Sequence, residues 1–437
     1  MLRRTSVVAL FGAFVAGNAA LLVWIWVHNG NLVGFSANAG NVLARLGGLT
    51  GLLGGYLALV QVWLLARIPW LERAVGFDRL TVWHRWNGHA CIDLIVAHVF
   101  LIVWGYSIPR HDSFGGQLWK MLAHDFLPGM VTATIGTVLL VVVVLTSIAI
   151  VRRRLRYELW YAVHLTAYAG IALAWFHEIP TGPDLGLVAW QGNYWRALFA
   201  LTLALIAWRV LAPLVSAYRH RLRVVSVAPE APGVVSIRIG GRRLDRLRAQ
   251  PGQFFLWRFL TRGHWATAHP FSLSAAPGDE LRITVKAVGD HTRRIGRLAP
   301  GTRVLAEGPY GAFTAASRRR DKVLYVAGGI GITPIRALVE RGDDSALLVY
   351  RALSDDALVF RDELASLPLR VEYVVGDHAA PGGDELLSPA HIAELVPDLH
   401  EREVYLCGPP GMVAAIRKNL LRAGVKRRHL HVERFAL

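Results

Sequence analysis

Six long stretches of nearly unbroken apolar residues occupy the first half of the chain, at about 6–27, 42–66, 83–106, 128–151, 158–179 and 195–215. A helix needs about 20 largely apolar residues to cross the hydrocarbon of a bilayer, so the pattern predicts six spans. After about residue 218 it changes to short alternating segments split by Gly and Pro, as in 234–239 and 281–285. A period of two predicts an antiparallel barrel or sandwich up to about 316. From Asp321 onward, buried-looking strands alternate with helical segments, the pattern of a parallel α/β sheet. The expected organisation is a six-helix transmembrane bundle over 1–218, an antiparallel β-barrel over 219–316 and a Rossmann-like α/β domain over 317–437.

Composition agrees. Of 437 residues, 54% are apolar and 18% charged, which excludes a disordered chain. The formal charge of +17 would suggest nucleic acid in a soluble protein. Here the basic residues concentrate in the short loops on one side of the predicted spans. Arg3, Arg4, Arg67, Arg73, Arg79, the 152–156 cluster, Arg219, Arg221 and Arg223 face Arg110 and Lys120 on the other. The rich side is read as cytoplasmic, with both termini there, and anionic lipid of the bilayer as its counterion. No nucleic-acid partner is expected. The first span is too long for the apolar core of a signal peptide and is read as uncleaved. Two cysteines, Cys91 and Cys407, exclude a disulfide framework, a Cys-rich zinc site and a Cys-ligated iron–sulfur cluster.

Ionisable residues inside spans are costly and mark functional sites. Span three carries His84, His89 and His98, and span five carries His164 and His177. His84 and His98 lie 14 residues apart, nearly on one helix face and about 21 Å apart along the axis. His164 and His177 are separated by about 19–20 Å, with an ideal rotation of about 140° between them. Both spans run in the same direction, so His84 can meet His164 at one level and His98 can meet His177 at another. Each pair could give two axial imidazoles to one b-type haem, since no C-x-x-C-H attachment motif is present. Intramembrane hydrogen bonding or proton relay is the plainer alternative. His89 is off the shared face and reads as structural. Arg45, at the outer mouth of span two, could neutralise a haem propionate or attract an anionic acceptor, or simply snorkel.

The second half carries an ordered series of turns. His269, Pro270, Phe271, Ser272, Leu273 and Ser274 lie at a strand edge and combine aromatic, hydroxyl and backbone groups suited to a flavin. Lys286 and Thr292 flank a Gly turn and could face a pyrophosphate. Gly308-Pro309-Tyr310-Gly311 is a further turn cluster. The strand 322–327 runs into Gly328, Gly329 and Gly331, followed by Thr333 and Pro334, an anion cradle of backbone N–H groups. The next strand ends in Arg351 where an acid would favour NADH. With Ser354 and Arg361 it favours the 2′-phosphate of NADPH, NADH remaining possible, the alternative being a solvated surface arginine. Cys407, Gly408 and Pro409 follow another buried strand, which would place Cys407 beside the nicotinamide unless it is an inert buried thiol.

With these residues in order, the chain resembles the NADPH oxidase and ferric reductase superfamily, in particular its bacterial six-span members. The resemblance covers nearly the whole length: paired histidines, HPFSLS, GPYG, GGIGITP and CGPPG. It implies a di-haem membrane domain joined to a ferredoxin–NADP reductase-like module that binds FAD and NAD(P)H. His84/His164 and His98/His177 would be the inner and outer haem ligands. His269 to Ser274 and Thr292 would contact FAD, Gly328 to Pro334 and Cys407 would line the nucleotide site, and Phe435 would shield the flavin. Animal oxidases carry a second histidine one turn beyond the outer ligand, where this chain has Ile102. The implied activity is electron transfer from cytoplasmic NADPH across the bacterial inner membrane to O2, giving superoxide. A ferric chelate or a periplasmic partner protein is the alternative acceptor.

Overall fold

A computed structural model describes residues 4–33, 38–123, 129–152, 154–186, 188–262, 264–265, 267–340, 342, 345–377 and 386–434. The chain forms two compact units, Met1–Arg209 and Val210–Leu437.

Among the described residues of the first half, six helices are long and apolar enough to cross a membrane. They are α1 (Arg4–His28), α2 (Ala39–Leu64), α3 (Phe77–Ser107), α4 (Met130–Ser147), α5 (Tyr157–Thr181) and α6 (Ala189–His220). Several overrun the apolar stretches that predict them. α3 has 31 residues and α6 has 32, about 46–48 Å of helix against about 30 Å of hydrocarbon. Hydropathy senses only the segment immersed in lipid, whereas backbone hydrogen bonding carries a helix on into the interface. α4 is shorter than expected: Gly129, at φ 74°, precedes it and Ile148, in extended conformation, follows it.

The helices are not equally buried. α1, α2 and α6 enclose an apolar core with Leu22, Ile25, Tyr56, Leu59, Trp63 and Trp195. Its polar atoms are satisfied within it: Trp63 donates to Thr202 Oγ1 (2.7 Å) and Tyr56 to the Val15 carbonyl (3.0 Å). Elsewhere small residues bring helices together in pairs, as is usual where lipid supplies no hydrophobic drive between them. A Cβ on Gly105 would lie 2.6 Å from the Ala44 nitrogen, closing α2 on α3. A Cβ on Gly136 would lie 2.7 Å from the Gly170 oxygen, closing α4 on α5.

In the second unit, strands β1 (Arg223–Ala231), β2 (Val234–Gly240) and β5 (Glu280–Lys286) form one antiparallel sheet. β3 (Phe254–Phe259), β4 (His269–Ser272) and β6 (Val304–Tyr310) form another. The bridges Arg223–Arg303 and Leu273–Ile283 join the two sheets along both edges, closing a six-stranded barrel rather than an open sandwich. Alternate side chains fill it, Phe255, Trp257 and Phe259 from β3 against Ile237, Ile239 and Ile283. Each such burial is worth about 1.5–3 kcal/mol.

The remaining strands are β7 (Lys322–Gly328), β8 (Ala346–Ala352), β9 (Arg370–Val375), β10 (Arg402–Gly408) and β11 (Leu430–Arg434). They form a parallel sheet in the order β11-β10-β7-β8-β9. Helices α7 (Ile332–Val339) and α8 (Pro410–Arg422) follow β7 and β10. The strand order runs outward from β7 to β9, then resumes on the other side with β10. The crevice beyond the carboxyl ends of β7 and β10 is therefore the switch point at which doubly wound sheets bind nucleotides.

Candidate redox sites

In the membrane unit, α3 and α5 present their histidines to each other at two levels. The His84 and His164 ring centroids are 6.1 Å apart, and those of His98 and His177 are 6.4 Å apart. Imidazole nitrogens bond first-row transition metals at about 2.0–2.1 Å, and the ring centre lies about 1.2 Å behind the nitrogen. Two imidazoles on opposite sides of one metal thus have centroids about 6.5 Å apart by the same bond length. Both pairs fit that spacing, whereas direct hydrogen bonding would draw the nitrogens much closer.

The tautomers fit as well. His98 donates Nδ1–H to the Gly47 carbonyl (2.7 Å), and His84 donates Nδ1–H to the Gln61 carbonyl (3.2 Å). A carbonyl can only accept, so in both rings the proton is on Nδ1 and Nε2 keeps its lone pair. A hydrogen bond of this kind, made by the ring nitrogen away from the metal, sets the orientation of a metal-binding imidazole. Gly51 gives the His98 ring its space: a Cβ there would stand 2.5 Å from Nδ1. Gln61 is itself held by Asn87, which donates to its Oε1 (2.8 Å) and to the Leu57 carbonyl (2.9 Å). Ser147 Oγ lies 3.4 Å from His164 Nδ1, and the Trp160 ring 5.0 Å from that imidazole.

α5 is helical through both of its histidines, so no break absorbs the 140° offset. His89 is exposed, with its ring near Trp86 rather than another histidine. Arg45 donates NH1 to the carbonyls of Gly30 (2.8 Å) and Asn31 (2.7 Å), which ties α2 to the chain after α1. The glycines of span two, recurring at 40, 47, 51 and 54, were the available sequence signal for these supporting contacts, because such spacing marks a closely approached helix face.

In the second unit, the strand β4 carries the 269–272 motif along one edge of the barrel, paired with β3. His269 stacks on His291, centroids 3.7 Å apart, and His264 Nδ1 lies 3.2 Å from His291 Nε2. Burial, and then its imidazole neighbours and Arg294, lower the pKa of His291 to about 4, and burial lowers those of His269 and His264 as well. Pro270 is exposed and Phe271 half-buried, while the Ser272, Leu273 and Ser274 side chains are buried. Leu273 fills the barrel core, and Ser274 Oγ accepts from Thr284 (2.8 Å), so these two can offer a ligand only their backbone. Lys286 is exposed at the end of β5. The Thr292 hydroxyl accepts from the N–H groups of Val288 (2.9 Å) and Gly289 (3.0 Å) and shapes the turn that follows.

The two Gly-rich turns lie side by side at the switch point. A Cβ on Gly331 would stand 2.5 Å from the Cys407 oxygen, and one on Gly328 would collide with Met412 Sδ. Glycine there is what lets the turn after β7 touch the turn after β10. Thr333 is buried, donates to the Ile330 carbonyl (3.0 Å), and is followed by buried Pro334 at the start of α7. Gly408 is buried and Pro409 exposed. Cys407 is fully buried, and that burial pushes its thiol well above the ordinary range, leaving it neutral. Arg351 is also buried, with NH1 donating to the carbonyls of Ala352 and Val374. Arg361 is exposed, 3.4 Å from Asp355 Oδ1. Phe435 lies outside the described residues.

One arrangement has no counterpart in the motifs. Arg282 of β5 grips Glu363 with both terminal nitrogens (2.6 and 2.9 Å), and Arg336 of α7 donates Nε to the same carboxylate (2.8 Å). Glu340, near the end of α7, accepts from the Ala276 N–H in the barrel. These contacts pin the barrel to the nucleotide-binding sheet. Burial alone would raise the Glu363 pKa, but hydrogen bonds and charge from Arg282 and Arg336 hold it below the ordinary carboxylate range.

The histidine pairs of the first unit and the Gly-rich turns of the second are each arranged as a site that could hold a redox group. Comparison with known proteins specifies the class. Residues 50–175 match the family model "Ferric reductase like transmembrane component", and residues 325–418 match "Oxidoreductase NAD-binding domain". The chain thus joins a ferric reductase-like transmembrane part to an oxidoreductase NAD-binding part. Its second half is 29% identical over 255 residues to "Ferredoxin--NADP reductase B" of Sorangium cellulosum, covering 51% of this chain and all of that one. It is 26% identical over 239 residues to "Glycine betaine monooxygenase reductase subunit" of Chromohalobacter salexigens, covering 50% of this chain and 64% of the relative. The chain spans 57–66% of the length of several curated relatives it matches. A solved ferredoxin NADP+ reductase of Neisseria gonorrhoeae, with FAD and NADP bound, aligns over 49% of this chain and 98% of its own at 19% identity, with a TM-score of 0.42. Together the matches and the six long apolar helices describe a multi-pass membrane region joined to an oxidoreductase NAD-binding domain.

Proposed function

We propose that the protein moves electrons from cytoplasmic NADPH, through FAD and two b-type haems, to O2 on the outer side of a bacterial inner membrane. The observation that carries this reading is the pair of imidazole couples, at 6.1 and 6.4 Å, on the same two helices. Haem supplies one-electron chemistry that no side chain can perform across about 30 Å of hydrocarbon. His84 and His164 are its inner holders and His98 and His177 its outer ones, with Gln61 and Gly47 presenting the correct nitrogen of His84 and His98. A haem held by two imidazoles at each site would have no open position to offer, so it would pass electrons on without binding the acceptor. That suits O2, with two molecules yielding two superoxide ions for each NADPH oxidised to NADP+ and a proton. Both termini and the soluble module lie on the cytoplasmic side by the distribution of basic loop residues.

In the soluble module, 219–316 forms the flavin lobe and 317–437 the nucleotide lobe. His269 to Ser274 edge the flavin, Lys286 and Thr292 flank its pyrophosphate, and Phe435 shields its ring. The turns at Gly328–Gly331 and Gly408–Pro409 receive the nicotinamide nucleotide, with Thr333 and Pro334 starting α7 beneath it. Cys407, a neutral buried thiol, packs behind the nicotinamide. Arg351, at the end of β8, with exposed Arg361 favours the 2′-phosphate of NADPH over NADH. Arg45 holds the outer mouth of α2 and offers its remaining donors to a propionate.

A second reading, reduction of ferric iron in a chelate at the same outer site, is favoured by the description of the matching membrane family, with a periplasmic partner protein as a further alternative acceptor. The test is a reduced-minus-oxidised spectrum of the purified protein with NADPH and FAD, first under nitrogen and then in air. The expected result is b-type haem bands that vanish in air with superoxide formed. Haems that stay reduced in air until a ferric chelate or partner is added would overturn O2 in favour of the second reading. An absence of haem bands would overturn both.

A further inference from the structure

We propose that the barrel end entered by α6 rests on the lipid headgroup layer and recognises anionic phospholipid, with Trp265 and Leu260 at the interface on the same end as an arginine-rich rim. This rests on the cytoplasmic placement of the module. The last turns of α6 belong to the same compact unit as the barrel. There Val210, Leu211 and Leu214 are 57, 55 and 53% exposed, the surface of a helix still in hydrocarbon. Tyr218 follows, exposed, with the Arg221 guanidinium 5.7 Å from its ring centre, a pairing suited to the membrane–water boundary.

No loose linker separates this boundary from the barrel. α6 ends at His220 and β1 begins at Arg223. The His220 carbonyl accepts from the Arg242 N–H (2.7 Å), and its Nδ1 lies 3.0 Å from the Arg242 carbonyl. Arg223 bridges to Arg303, whose carbonyl accepts from the Leu260 N–H (2.9 Å). The ends of β1, β2, β3 and β6 therefore share one rim with the end of the span.

That rim has the composition of an interfacial surface. Arg223, Arg242, Arg243, Arg262 and Arg303 are exposed. Among the described residues, no ion pair within 4 Å engages them. The chain just after β3 carries Leu260, 41% exposed, and Trp265, 64% exposed, whose backbone N–H donates to the Thr261 carbonyl (3.2 Å). An exposed indole and leucine on the same end as five exposed arginines match an anionic bilayer surface, apolar groups entering the boundary and cations meeting phosphate. The consequence is positional. The chain that carries Trp265 reaches β4 only four residues later, so anchoring the indole restrains the flavin edge at His269.

The test is hydrogen–deuterium exchange of the full-length protein in nanodiscs of phosphatidylcholine, compared with nanodiscs in which one third of the lipid is phosphatidylglycerol. The expected result is several-fold slower exchange at Leu260–Arg262 and Arg242–Arg243 in the anionic discs. The double variant Arg242→Glu/Arg243→Glu, and separately Trp265→Ser, should remove that difference. Equal exchange in both lipids, or a difference that survives both variants, would overturn the proposal. If a variant does not fold, the wild-type comparison decides alone. Haem bands and flavin reduction by NADPH, recorded on the same discs, report on the electron path separately. Their loss would sink the functional reading, while lipid-independent exchange with both intact would sink only the rim.

Discussion

The two halves of this protein solve the problem of holding redox groups in opposite ways. On the proposed reading the membrane unit holds its groups by four imidazole side chains, each half-buried, on helices that glycines bring close to a neighbour. The soluble unit holds its groups by backbone: Gly turns at strand ends, brought together by a closed barrel and a parallel sheet with buried strands. A side-chain ligand can be lost by one truncation. A backbone cradle is lost only when something is added or when the sheet beneath it moves. The membrane half should therefore fail site by site, and the soluble half should weaken by degrees.

The largest expected effect breaks the membrane half at one level. His98→Ala should remove the outer haem and abolish outward electron flow while NADPH still reduces the flavin. Stopped-flow absorbance separates the two, and normal outward flow in this variant would sink the relay. A sharper version leaves every ligand in place: Gly51→Leu drives a side chain into the space of the His98 ring. Disturbing such a supporting contact costs about 10–100-fold in metal affinity. Outer-haem occupancy should fall with inner-haem bands retained, and equal loss of both haems would count against a level-specific role.

In the soluble half, Glu363→Ala strips two buried arginines of their shared carboxylate. Breaking a buried pair costs about 3–5 kcal/mol, with the lower end expected here because Glu363 is partly exposed. Denaturant unfolding should report that loss together with slower flavin reduction by NADPH. Arg351→Ala should raise KM for NADPH more than for NADH, and equal effects would argue against a 2′-phosphate contact. The smallest effect is in pH. His291 titrates at about 4 in the fold against 6.5 in the open chain. The unfolded form thus binds more protons between those values, so the stability held above pH 6.5 is lost as pH falls toward 4. His291→Gln should flatten that slope in thermal melts, and an unchanged slope would place the acid sensitivity elsewhere.

Much of this architecture could be read from patterns that depend on neighbours in the chain. Apolar runs of about 20 residues announce spans, alternation announces strands, and Gly-rich turns after buried strands announce a nucleotide site, because each reflects local backbone geometry and solvent contrast. The histidine spacings likewise pointed to two levels, since helical rise is fixed by the backbone. Where local pattern had no purchase, the sequence was silent. Hydropathy could not say how far α3 and α6 run past the hydrocarbon, and alternation alone could not separate a sandwich from a barrel.

By itself, then, the sequence determined the order of the parts, six spans, an antiparallel β region and a parallel α/β sheet, and which side chains could serve redox chemistry. Only the tertiary structure decided how those side chains are held. It set the Gly47 carbonyl against His98 and the Gln61 carbonyl against His84, closed the barrel through Arg223–Arg303 and Leu273–Ile283, and drew Arg282, Arg336 and Glu363 from distant segments into one clamp. The physical reason is range. Hydrogen-bond partners 51 or 81 residues apart leave no periodic trace in a chain, and they exist only once helices and sheets have packed.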